Sequence, residues 1–307
     1  MVFLKLIRFP NLLIVAFTQY LLNYLVLLPA LKTARLSPTL NAFHFFLFVL
    51  TTLIIAAGGY VINDLTDYKI DCINKPEKVI VNKIISLKTA RHYYLALTIF
   101  GFVISGYLAL YVNNLPLLII YPIAVGLLYF YSRHLKKTAL LGNSIVALFC
   151  AFVAGIVLFA ERESYFQLKK IAPPIADEIW LLFLGYSIFA LLSTLFREIV
   201  KDLEDRQGDL MADSKTLPIV LGNRTTKIIA SFFAGLLLVL VVWFASWLSE
   251  KSQLPALQFT WAGIILPLLF SLFYLSCAKT KKQFHQLSAL IKFIMLSGII
   301  LLIIIKL

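Results

Sequence analysis

Polar positions in this chain are gathered between long segments that are apolar on every side, with neither the two-residue alternation of a half-buried strand nor the 3.6-residue stripe of a surface helix. The apolar segments fall near residues 11–31, 41–62, 92–112, 115–131, 139–159, 179–196, 227–248, 257–277 and 287–305. Most of them match the ~20 residues a helix needs to cross about 30 Å of hydrocarbon. A lipid core offers no partner to an open backbone group, so runs of this kind predict helices. The expected fold is all-α: a polytopic membrane protein with about nine transmembrane helices in a bundle around a central cavity, forming one domain over residues 1–307.

Composition sharpens this picture in one respect. With 61% hydrophobic and 14% charged residues and a mean hydropathy of +0.91, the chain is too apolar for a soluble domain. The first run follows Lys5 and Arg8 but is full length and lacks a small-residue cleavage site, so it is expected to stay as the first helix. Cys72, Cys150 and Cys277 have neither metal nor disulfide spacing and are assigned no chemistry.

The formal charge of +13 is informative through its sidedness. If nine helices alternate, the N-terminus and the even-numbered connections share one side, which holds 20 of the 28 Lys and Arg residues. The positive-inside rule makes that side cytoplasmic, in the plasma or inner membrane, with the N-terminus on it. A basic balance of this origin reports topology and anionic ligands, and nucleic acid is not an expected partner.

Two interruptions on the same side are acidic. Asn63-Asp64-Leu65-Thr66-Asp67-Tyr68-Lys69-Ile70-Asp71 ends the second apolar run, and Asp202-Leu203-Glu204-Asp205-Arg206-Gln207-Gly208-Asp209 ends the sixth. Both read D-x-x-D-x-x-x-D, and at about 100° per residue the positions i, i+3 and i+7 lie within about 60° of one another on a helix. Each stretch therefore predicts three carboxylates on one helix face. Such a cluster repels itself unless cations neutralise it, and hard oxygen donors suit Mg²⁺ better than Zn²⁺. Charged residues are costly at mid-membrane, so the clusters belong at helix ends facing water or a polar cavity. The repeated spacing, 138 residues apart and each time followed by lysines, suggests internal duplication of a helical unit.

Cations beside these carboxylates fit an anion bridging metal and lysine, as a polyphosphate does, and Lys75 and Lys78 are the nearest candidates. Asn11, at the mouth of the first helix, reads as a helix cap or a ligand contact. The turn after the fourth helix, Tyr131-Ser132-Arg133-His134-Leu135-Lys136-Lys137, and the following Gly142-Asn143 bring hydroxyl, cationic and amide groups to the same side. His44 reads as interfacial, Gly58-Gly59 as helix packing, residues 160–178 as an outer loop without chemistry, and the last three helices as possible lining for a lipid chain.

With these two motifs on a nine-helix chain, the sequence resembles the UbiA superfamily of intramembrane prenyltransferases over essentially its whole length. The resemblance implies Mg²⁺ held by the two motifs and binding the diphosphate of a polyprenyl donor. Asn63, Asp67, Asp71, Asp205 and Asp209 would be metal or diphosphate-metal ligands, with Asp67, Asp71, Asp205 and Asp209 the catalytic set. Asp64 and Asp202 would ligate or hold the ligands. Lys75, Lys78, Tyr131, Lys136 and Lys215 fall where the family places groups around the diphosphate. Asn74-Lys75-Pro76-Glu77-Lys78, Arg197-Glu198-x-x-Lys201 and Lys215-Thr216-Leu217-Pro218-Ile219 look most like the branch that transfers geranylgeranyl from its diphosphate to a glycerol phosphate ether. The acceptor would then bring a second anion, for which Lys136 and Lys137 are candidates. A prenylated aromatic acceptor is the alternative within the family. A cation-coupled transporter is the alternative outside it, although such proteins place charge near mid-membrane in broken helices. A CDP-alcohol phosphotransferase would need an Asp-Gly, Ala-Arg pattern that this chain lacks.

Overall fold

The computed structural model describes residues 2–74 and 76–305, without the side chains of Ile70, Ile73, Asn74 and Lys78. Among the described residues nine helices are long and apolar enough to span a membrane. They are α1 (Phe9–Thr33), α2 (Ala42–Asn74), α3 (Leu87–Tyr111), α4 (Leu115–Leu135), α5 (Leu141–Ala160), α6 (Pro173–Met211), α7 (Gly222–Glu250), α8 (Leu254–Cys277) and α9 (Lys281–Ile304). The chain is an integral membrane protein. Lys75 and the side chain of Lys78 lie outside the described residues, so their expected ligand roles have no structural counterpart.

Local irregularities have sequence causes. In α1 and α8 a wider π turn, Leu22–Leu27 and Trp261–Ile265, stands immediately before Pro29 and Pro267. A proline ring clashes with the carbonyl four residues back and donates no N–H, and one wide turn relieves both faults. A third π turn, Tyr131–Leu135 at the end of α4, has no proline to explain it. The outer connection departs from expectation: it folds as a helix, Arg162–Ile171, and α6 begins at Pro173 with proline in its first turn. Leu168 is buried beneath that helix, so its amphipathic pattern gives the segment a face to pack. Glu161, also buried, accepts hydrogen bonds from the backbone N–H groups of Thr39 (2.7 Å) and Leu40 (3.1 Å) and fastens this cap to the chain entering α2.

The bundle is built around α2 and α6. α6 packs along α5, α7 and α9, and α2 along α3, α1 and α4. Small residues set these distances, as expected of Gly58 and Gly59, which face Tyr94 and Leu128. His44 is buried, stacked on Tyr111 at 3.4 Å and bonded to Asn41 (2.7 Å), a structural role. The three cysteines are free thiols, joined in no disulfide. An apolar crevice between α6, α7 and α9 is lined by Tyr186, Phe189, Leu240, Trp243, Phe244 and Leu301.

A tight approach joins α6 and α9, where a Cβ on Gly298 would fall 2.4 Å from the Phe189 ring. Gly298→Ala is expected to cost about 1–3 kcal/mol by overpacking, seen as a lower thermal midpoint in detergent. Gly185→Ala on the same helix pair, where a Cβ meets nothing within 4 Å, should leave the midpoint in place.

Candidate active site

α2 and α6 are 33 and 39 residues long. At 1.5 Å per residue they reach roughly 50 and 58 Å, well beyond the ~30 Å apolar layer. Both acidic motifs occupy the overhanging ends, and both remain helical, so the i, i+3, i+7 spacing does put each trio on one face. These faces turn inward. Asp67 is buried and Asp64, Asp71, Asp202, Asp205 and Asp209 are partly buried, whereas Lys69, Arg206 and Gln207 on the opposite faces are exposed.

Cations and amides drawn from other helices meet the carboxylates. Arg8, ahead of α1, pairs with Asp64 at 3.0 Å and lies over the Tyr60 ring. Lys136 forms an ion pair with Asp67. Burial alone would lower the Lys136 pKa, but the adjacent Asp67 carboxylate outweighs it and holds the ammonium above its ordinary value. Ser132 donates to the Asn63 side chain. On α6, Asn143 donates to Asp202 at 2.8 Å, and His285 at the start of α9 meets Glu204 at 2.9 Å. One turn deeper, Glu198 binds Lys201 (2.8 Å) and Arg197 (3.2 Å). Tyr131 is buried in the field of Glu198, Asp67 and Asp202.

Arg8, Ser132, Asn143 and Glu198 were not among the residues the sequence singled out for the site. Their signal was a polar group at the end of an apolar run on the motif side, joined for Glu198 by the Arg197-Glu198-x-x-Lys201 pattern, and only folding shows which of many such groups point inward. Asn11 is resolved against the capping reading: Arg8, in the left-handed conformation, occupies the N-cap position of α1 without a side-chain capping bond, and the Asn11 side chain accepts from Lys292 Nζ at 3.4 Å.

Two connections that carry the candidate lysines are stitched together. The Lys215 N–H donates to the Lys137 carbonyl at 2.8 Å, and Thr138 and Lys215 pair as an isolated parallel bridge. The side chains of Lys137 and Lys215 are exposed, so of the α4–α5 pair only Lys136 reaches the carboxylates. Lys136 therefore stands at the first acidic motif.

Among the described residues no three His, Cys, Asp or Glu side chains stand close enough to hold a metal as they are arranged. The donors nevertheless fit a hard divalent ion. The inward-facing groups are oxygen donors from two helix ends, and Asp67 is held by an ammonium that an ion would displace.

The model of the UbiA prenyltransferase family matches residues 24–296. This chain belongs to that family. A digeranylgeranylglyceryl phosphate synthase from Sulfolobus acidocaldarius is 38% identical over 194 residues, 63% of each chain, so the match covers under two thirds of that relative's length. A structure described as giving insight into digeranylgeranylglyceryl phosphate synthase in membranes superposes with a TM-score of 0.61 at 25% identity, covering 100% of this chain and 98% of the other. A UbiA homolog from Archaeoglobus fulgidus bound to DMAPP and Mg²⁺ shares the fold, with a TM-score of 0.54, 17% identity and coverage of 99% and 100%.

In this UbiA chain the placement of Lys136 depends on Gly142. A Cβ there would meet the Leu135 carbonyl at 2.8 Å and Lys136 Cα at 3.2 Å, both backbone atoms that cannot swing aside. Gly142→Ala is expected to push the turn away from α2 and lower kcat/KM by roughly ten- to a hundredfold, the usual cost of misplacing a group by about 1 Å. An unchanged thermal midpoint with this loss would locate the effect in the site; full activity would count against it.

Proposed function

We propose that this protein transfers a polyprenyl group, geranylgeranyl, from its diphosphate to the hydroxyl of a glycerol phosphate ether, with Mg²⁺ as cofactor and the site on the cytoplasmic side of the membrane. The observation that carries this reading is the pair of inward-facing carboxylate trios interleaved with Arg8 and Lys136 at the mouth of an apolar bundle. Family membership and the names of the relatives support the reaction class and acceptor. The homolog with DMAPP and Mg²⁺ supports the donor chemistry.

Asp67, Asp71, Asp205 and Asp209, with Asn63, are the residues that would hold Mg²⁺, and Asp64 and Asp202 would hold or extend that set. Bound there, the metal would neutralise the leaving diphosphate and make ionisation of the allylic carbon easier. The chain supplies the rest. Lys136, once released from Asp67, is placed to contact a phosphate oxygen, as a point charge beside the metal set. Asn143 orients Asp202, and Ser132 orients Asn63. The buried ring of Tyr131 and the apolar walls of α2 and α4 keep water from the carbon while it carries charge. As the allylic C–O bond to the diphosphate breaks, the acceptor hydroxyl oxygen forms the new C–O bond and its proton passes to the departing diphosphate.

Asp67→Ala is expected to abolish turnover while leaving a folded protein, because it removes a metal ligand and also one member of a repelling cluster. EDTA should silence the wild type and added Mg²⁺ restore it. Product formation from geranylgeranyl diphosphate in EDTA would reject the metal-diphosphate reading. Orientation is tested separately: a cysteine at the exposed Lys69, in a background lacking Cys72, Cys150 and Cys277, should react with impermeant thiol reagents only in opened membranes.

A further inference from the structure

One cation inside the bundle is not absorbed by the site described above. Lys292 lies eleven residues into α9, about 16 Å along that helix from its motif-side end. A lysine at such depth faces the interior and requires an anionic or strongly polar partner. Among the described residues the other cations at the site have theirs: Arg8 has Asp64, Lys136 has Asp67, and Arg197 and Lys201 share Glu198. Among the described residues Lys292 pairs with no carboxylate, and its ammonium donates to the neutral side chain of Asn11 at the long distance of 3.4 Å.

The surroundings of Lys292 connect it to the reaction centre. Asn11 lies beside the Tyr60 hydroxyl, and Tyr60 is covered by Arg8, the partner of Asp64. On the other side, α6 and α9 run antiparallel, fixed at two levels by Tyr186 donating to the Gly298 carbonyl (3.1 Å) and by His285 against Glu204 (2.9 Å). Interpolating between these contacts puts Lys292 within about one turn of the level of Arg197. The Arg197 Nε is itself buried without a hydrogen-bond partner. At one depth, on the apolar side of the acidic motifs, stand an ammonium held by one long bond to a neutral amide and a guanidinium N–H with no partner.

We infer that Lys292, presented by α9 against Asn11 of α1, binds the phosphate of the acceptor and so selects a phosphorylated glycerol ether. This rests on the proposed function, since it names the group that recognises that acceptor's anion. The position suits the chemistry. A glycerol carries its reacting hydroxyl and its phosphate a few bonds apart, so the phosphate must sit near the diphosphate but outside the metal set. Lys136, placed at the first motif beside the donor's diphosphate, does not offer that second position.

The test uses the purified full-length protein in detergent with Mg²⁺ and geranylgeranyl diphosphate. The acceptors are a geranylgeranylglyceryl phosphate and the same ether without its phosphate. The wild type should prefer the phosphorylated acceptor. Lys292→Gln should raise that acceptor's KM by about ten- to a hundredfold, the worth of a hydrogen bond to a charged group. It should leave the donor KM and the KM of the dephosphorylated ether in place, and Lys292→Arg should retain most of the preference. Asn11→Asp is a second variant that keeps the lysine and gives it a competing countercharge, and it should raise the same KM. An unchanged phosphorylated-acceptor KM in either variant, or equal rises for donor and acceptor, overturns the assignment while the proposed function stands. A wild type that ignores both ethers and prenylates an aromatic acid overturns the proposed function, and the assignment with it.

Discussion

Six aspartates at the overhanging ends of two helices repel one another, and the motif side of the bundle is arranged to contain that repulsion. Each cation that answers it comes from a different part of the chain: Arg8 from the segment before α1 and Lys136 from the turn after α4. The amide of Asn143, from the start of α5, does the same for Asp202 without a charge. Distant segments are therefore gathered around the motifs by electrostatics as much as by apolar packing. In a bilayer an unanswered charge is costly, so these contacts help determine how the motif ends of the helices assemble.

Ion pairs of this kind are also exchangeable. A salt bridge that is partly open to water contributes little net stability, so releasing Lys136 from Asp67 for a stronger anion is not a large loss to the fold. The deep core elsewhere carries the fold: the Gly298–Phe189 approach and the apolar packing of α6 against α7 and α9 do not use the motif aspartates. Stability and reactivity are thereby placed in separate layers of one bundle, the first within the apolar thickness and the second at its motif-side end.

The helices were legible in the sequence because lipid leaves the backbone a single solution, and each apolar run became one span. The two acidic faces were legible for a similar reason: spacing on a helix fixes direction around its axis, and both stretches proved helical to their ends. What could not be read was partnership. Lys136 and Lys137 are adjacent and chemically alike, yet one turns into the site and the other to solvent, a difference set by the π turn at Tyr131–Leu135 and by the close approach of Gly142. Asn11 was open between cap and contact until Arg8 took the cap. In the outer connection the many charges mask a short amphipathic period, so its helix does not show in the sequence.

The backbone bridge between Lys215 and Lys137 has a mechanical meaning. It fastens the turn behind Lys136, which answers the first motif, to the strap that follows Asp209, which ends the second. Ser214 N–H in turn holds the Asp209 carbonyl at 2.9 Å, so the strap cannot shift without tugging on the end of α6. The two half-sites are yoked through main-chain atoms, a linkage that side-chain substitution leaves in place.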